Sequence, residues 1–129
     1  MKYDANHAPD PEAWLEADEQ ERIQAVREYH DQLDDHPPAG SMEAHCMIHA
    51  VVETQIAQED PAVTAEKLDE LVEAGTDRHA ALHAIMLPVA HVIYGVASQK
   101  EEGDANALLE EQIGAVTVGD AREQQKAWG

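Results

Sequence analysis

Phenylalanine is absent from this sequence, and aromatic residues of all kinds make up only 4% of its 129 positions. A core built almost without large rings must be filled by Ala, Val, Leu, Ile and Met, a palette that suits closely packed helices. Cysteine occurs once, at Cys46, which excludes an internal disulfide. No signal pattern of charged, apolar and small blocks opens the chain, so a reducing cytoplasm is the expected location. Basic side chains are scarce as well. Eight Lys and Arg stand against 27 Asp and Glu, and the resulting formal charge of −19 excludes nucleic acid and anionic membrane as partners. That balance fits either a very soluble acidic protein or one adapted to a salty cytoplasm, and it leaves a basic protein or a second copy of the chain as possible partners.

Other familiar signals are missing too. The longest apolar segment, Ala80 to Ala97, approaches the length of a membrane span, but His83, Pro88 and His91 interrupt it and a helical core explains it better. There is no Gly-rich phosphate loop, no GxSxG elbow, no Ser/His/Asp or Cys/His arrangement, no internal repeat and no strand pattern of any length. What remains is a helical chain. At 129 residues it is expected to fold as one all-α domain: an antiparallel bundle of about four core helices with short flanking helices.

Residues 1–9 read as a flexible leader, 10–113 as the bundle and 114–129 as a tail that is docked or frayed. Asp10-Pro11-Glu12 supplies a cap residue, a first-turn proline and a first-turn acid for a short helix through Trp14 and Leu15. Asp18 with Glu21 resembles a capping box for a helix over about 19–33, on which Ile23, Val26, His30 and Leu33 share one face. Two prolines and a glycine make residues 34–40 a linker. Ser41 then caps a helix running to about Gln58. Asp60-Pro61 repeats the cap-plus-proline start for a helix with Leu68, Leu71 and Val72 on its buried side, ended by Gly75. Thr76 or Asp77 caps a long helix to about Ser98, bent near Pro88, and a last short helix is expected over 104–113.

Histidine is where the chemistry lies. His45, His49 and Glu53 recur every four residues, and a four-residue step turns about 400° on a helix, so the three form one slowly drifting stripe. The apolar residues between them bury that stripe, and buried imidazoles with a carboxylate need partners. His79 and His83 repeat the spacing on the most apolar helix. Short connections make successive helices antiparallel, which brings His30, at the end of one helix, to the same end of the bundle as both pairs. Imidazole and carboxylate at helical i, i+4 spacing suit a transition metal such as Zn or non-haem Fe. The candidate metal ligands are therefore His30, His45, His49, Glu53, His79 and His83. His91 lies beyond the proline, His7 and His36 fall in loops, and Cys46 is turned about 100° from His45 as a small buried hydrophobe. Tyr29, beside His30, is read as core packing.

Two family resemblances follow from these motifs. His49-x-x-x-Glu53 and His79-x-x-x-His83, with His30 upstream, resemble part of the hemerythrin ligand order in a four-helix bundle, although the closing His-x-x-x-x-Asp of that family has no counterpart here. The Glu-x-x-His motifs of ferritin-like di-iron proteins are absent. Over about residues 9–98, Trp14-Leu15 with Asp18-Glu19, Tyr29-His30, His45-x-x-x-His49-x-x-x-Glu53-x-Gln55, Asp60-Pro61 and Asp77-Arg78-His79-x-x-x-His83-Ala84-Ile85 resemble a family of small bacterial proteins catalogued only as a domain of unknown function. That resemblance implies a small helical cytoplasmic protein and brings no activity. Two functional readings therefore stand: a helical protein binding a metal at one end of its bundle, or a metal-free acidic interaction module in which the histidines are hydrogen-bonded packing.

Overall fold

A computed structural model describes residues 2–32, 42–99 and 105–128. Apart from a bridge between Asp4 and His7, every regular element in those residues is helical. The helices are α1 (Pro11–Glu16), α2 (Glu19–Asp31), α3 (Met42–Gln58), α4 (Ala62–Glu73), α5 (Arg78–Gln99), α6 (Ala105–Gly114) and α7 (Val118–Trp128). The linker 34–40, His36, Leu33, the Ser41 cap and the start of the sixth helix at Asp104 lie outside the described residues.

The helix starts follow their cap chemistry. The Asp10 and Asp18 carboxylates accept from the backbone N–H groups of Ala13 (3.2 Å) and Glu21 (2.8 Å), satisfying donors that the first turn leaves over. Asp77 does the same for α5, taking His79 N–H at 2.8 Å while its carbonyl accepts from Ala81. At α4 the expectation fails: the cap position is Pro61, with no side-chain cap bond, and Asp60 is displaced one residue further out. The stop of α4 is the predicted one. Gly75 has φ +102, a left-handed conformation suited to glycine, and the bonds Gly75 N–H to Val72 O and Thr76 N–H to Leu71 O close a Schellman motif.

Two helices occupy the middle. α3 packs on α1, α2, α4 and α5, and α5 packs on α3, α4, α6 and α7. A helix surrounded on most sides must be apolar round most of its circumference. Accordingly Ala80, Ala81, Leu82, Ala84, Ile85 and Met86 are all buried on α5, joined by Ile48 and Val52 of α3 and Leu68 and Leu71 of α4. Val72, expected on the buried side of α4, is 40% exposed; one residue past Leu71 is a turn of about 100°, enough to leave the seam.

The N-terminal end of the chain departs from expectation. The leader is not loose: Tyr3 and Ala5 are buried, because Tyr3 packs its ring on Trp14 at 5.6 Å and Asn6 Oδ1 accepts from His79 N–H at 3.1 Å. The tail is a docked helix whose start is a reciprocal capping box. Thr117 N–H donates to Asp120 Oδ2 (2.9 Å) and Asp120 N–H to Thr117 Oγ1 (3.1 Å), and Val116 and Ala121 are buried. No helix of the described residues is long and apolar enough to cross a membrane.

Candidate metal centre

The C-terminal turn of α2 meets the N-terminal halves of α3 and α5, and five imidazoles converge there. His30 comes from α2, His45 and His49 from α3, His79 and His83 from α5. Ring centroids of His30 lie 5.0 Å from His45, 5.1 Å from His49 and 5.4 Å from His79, and His79 lies 4.2 Å from His83. One nitrogen each of His30, His45, His49 and His83 fall within 4.8 Å of one another, a spacing that could hold a metal ion. The i, i+4 spacing puts each pair on one helix face, and the antiparallel return of α3 against α2 adds His30. His30, His49 and His83 are buried, while His45 and His79 are half-buried.

Hydrogen bonds assign the donor atom of two rings. His30 Nδ1 lies 2.8 Å from the Val26 carbonyl, which can only accept, so Nδ1 carries the proton and Nε2 the lone pair. At His49 the logic runs through three residues. Arg78 presents both terminal nitrogens to the Glu53 carboxylate, Nη1 to Oε2 at 2.7 Å and Nη2 to Oε1 at 2.8 Å, and Tyr3 donates its hydroxyl proton to Oε2. Having given up its one proton, the Tyr3 oxygen can only accept from His49 Nε2, 2.9 Å away. His49 Nδ1 is then the lone-pair atom, and it is buried with no hydrogen-bond partner among the described residues.

Titration follows burial. Desolvation pushes the His49 pKa well below the ordinary histidine value, and the neighbouring His30, His83, His79 and His45 reinforce that; desolvation also lowers His30. Both rings are therefore neutral at pH 7, the form that ligates metal. Burial, then the Glu53 charge, raises the Tyr3 phenol well above its usual value, so it stays a donor. Burial opposes the charge on Arg78, but the hydrogen bonds and charge of Glu53 outweigh it and leave its pKa raised.

Of the six predicted ligands, the structure thus groups four. Glu53 lies outside that group, and its two oxygens accept from Arg78 and Tyr3. His79 belongs to the ring cluster but not to the group of four donors. Cys46 is buried and outside the cluster, His7 and His91 are exposed, and Tyr29 packs edge-on against His30 (5.6 Å) and His79 (5.5 Å). Sequence reasoning missed Tyr3 and Arg78. Arg78 carried a signal, being a lone cation beside His79 on an otherwise apolar helix; Tyr3, in a short polar leader, carried none.

A comparison with known protein families matches residues 2–113 to the one described as Domain of unknown function (DUF1841). The chain belongs to this family. Its matched span includes Tyr3, Glu53, Arg78 and all five clustered histidines, and stops before α7. No curated protein and no solved structure matches the chain.

Proposed function

We propose that this protein binds a first-row transition metal ion, Zn(II) or non-haem iron, through His30, His45, His49 and His83, with His79 beside His83 as a further donor. The observation that carries the reading is the grouping of four imidazole nitrogens, from three helices, within 4.8 Å. Nitrogens bonded to one ion at about 2.0–2.1 Å stand about 3.4 Å apart at tetrahedral angles, so small ring rotations complete the set. The donors also fit in kind. A buried acceptor such as His49 Nδ1 costs about 1–3 kcal/mol unsatisfied, and a cation converts that cost into a bond. An all-nitrogen set suits zinc or ferrous iron and disfavours Mg or Ca, which seek oxygen.

His30 and His49 would hold the ion with defined lone pairs, Nε2 and Nδ1, and Tyr3, Glu53 and Arg78 would keep the second of these in place. The half-buried His45 and His79 form the edge of the site nearest solvent, where metal or a small molecule would enter. A zinc ion there supplies Lewis acidity, and iron adds one-electron chemistry.

The test is metal content by mass spectrometry on protein purified without a histidine tag or chelating column. Near-stoichiometric zinc or iron is expected, lost in His49→Ala and His83→Ala and retained in His91→Ala, whose ring is exposed. Added metal at about 100 times its Kd should raise folding stability by about 2.7 kcal/mol, and a chelator should reverse it. Folded protein that neither carries nor takes up zinc or iron would overturn the reading and leave the metal-free acidic interaction module.

A further inference from the structure

We propose that Tyr3 is a positioning residue which sets His49 as the Nε2–H tautomer and so aims the Nδ1 lone pair into the histidine cluster, making the N-terminal segment part of the site. The inference deepens the metal-binding reading, but its first test does not depend on it. The carrying observation is an ordered set of donors and acceptors: Arg78 donates to Glu53, Tyr3 donates to Glu53, and His49 donates to Tyr3. Each link permits one direction only. A guanidinium has no acceptor, a carboxylate facing two donors has no proton to give, and a phenol has a single proton.

The segment is held where this requires it. Tyr3 is buried against Trp14, and packs at 5.7 Å on Tyr29 and 5.6 Å on His49. Arg78 Nη1 donates to the Ala5 carbonyl at 3.0 Å while also holding Glu53, so one guanidinium ties the leader and the carboxylate together. Without the relay, His49 could place its proton on either nitrogen. Protonated at Nδ1, it would present an N–H to the cluster in place of a lone pair. Partners of this kind behind a ligating histidine typically account for 10- to 100-fold in metal affinity.

One variant separates the relay from packing. Tyr3→Phe keeps the ring and removes only the hydroxyl. Long-range 1H–15N correlation spectra of the imidazoles in metal-free protein distinguish a protonated nitrogen from a lone-pair nitrogen. The expected result is Nε2–H at His49 in the natural protein and a mixture in Tyr3→Phe. Competition against a chelator should then show zinc affinity falling 10- to 100-fold in Tyr3→Phe and remaining unchanged in His7→Ala, which alters the exposed part of the same segment. Nδ1–H at His49 in the natural protein, an unaltered tautomer in Tyr3→Phe, or full zinc affinity in folded Tyr3→Phe would each overturn the proposal. If the natural protein binds no metal, the metal-binding reading fails and the tautomer spectra alone decide this one.

Discussion

At the scale of residues, the largest electrostatic commitment lies behind the histidines. Glu53 is fully buried and Arg78 nearly so, and their two-pronged contact is shared with Tyr3 and the Ala5 carbonyl. Removing one member of such a pair strands a charge in the interior. Arg78→Ala should therefore destabilise the fold by about 3–5 kcal/mol in denaturant titrations. The Arg27–Asp31 pair, at 3.4 Å on the open face of α2, is the contrast: screened by solvent, it should change stability by about 0.5 kcal/mol or less when Arg27 becomes Ala. Comparable losses for the two variants would show that the buried network does not hold the leader to the bundle.

At the scale of elements, helix ends decide how the histidines are presented. α4 must stop and reverse so that α5 begins beside the N-terminal half of α3, and the left-handed Gly75 makes that reversal. There is open space around a Cβ at Gly75, so the cost of a side chain is conformational and not steric. Gly75→Ala should lower stability by about 1 kcal/mol, and Gly75→Val by more, because a β-branched residue tolerates positive φ least. Thermal melts of the metal-free variants measure this; an unchanged Gly75→Val would mean that the α4–α5 turn relaxes without loss. The same logic places α7, whose Thr117–Asp120 box starts a helix docked on α5.

At the scale of the molecule, the buried imidazoles couple stability to pH. His30 and His49 have folded-state pKa values below the ordinary value, whereas in the unfolded chain they titrate near 6.5. On acidification the unfolded state takes up protons that the folded state refuses, so the neutral cluster's contribution is complete above about pH 6.5 and is lost as pH falls towards the depressed values. The denaturation midpoint of metal-free protein should drop between about pH 7 and pH 5.5. Replacing both His30 and His49 by Gln should flatten the drop; a flat profile in the natural protein would contradict the neutral, buried cluster. Loaded metal should steepen the loss, because protons and metal compete for the same lone pairs.

The fold class, the starts of α1 and α2, the extent of α3, the glycine stop of α4 and five of the histidines that converge were legible in the sequence. These are consequences of local rules: cap chemistry, helical periodicity, and short loops that force neighbours to reverse. Even the meeting of His30 with two distant pairs followed from counting helix directions. What only the tertiary structure decided was the company each side chain keeps. Glu53 shares the helical stripe of His45 and His49, but a guanidinium one helix away competes for its oxygens and takes them. Tyr3 lies in a leader with no periodicity, yet burying its ring and satisfying its hydroxyl draw it onto the site. Spacing along a helix determines which way a residue faces. Contacts between residues far apart in the chain determine whether it meets a metal, a proton or a counter-charge there.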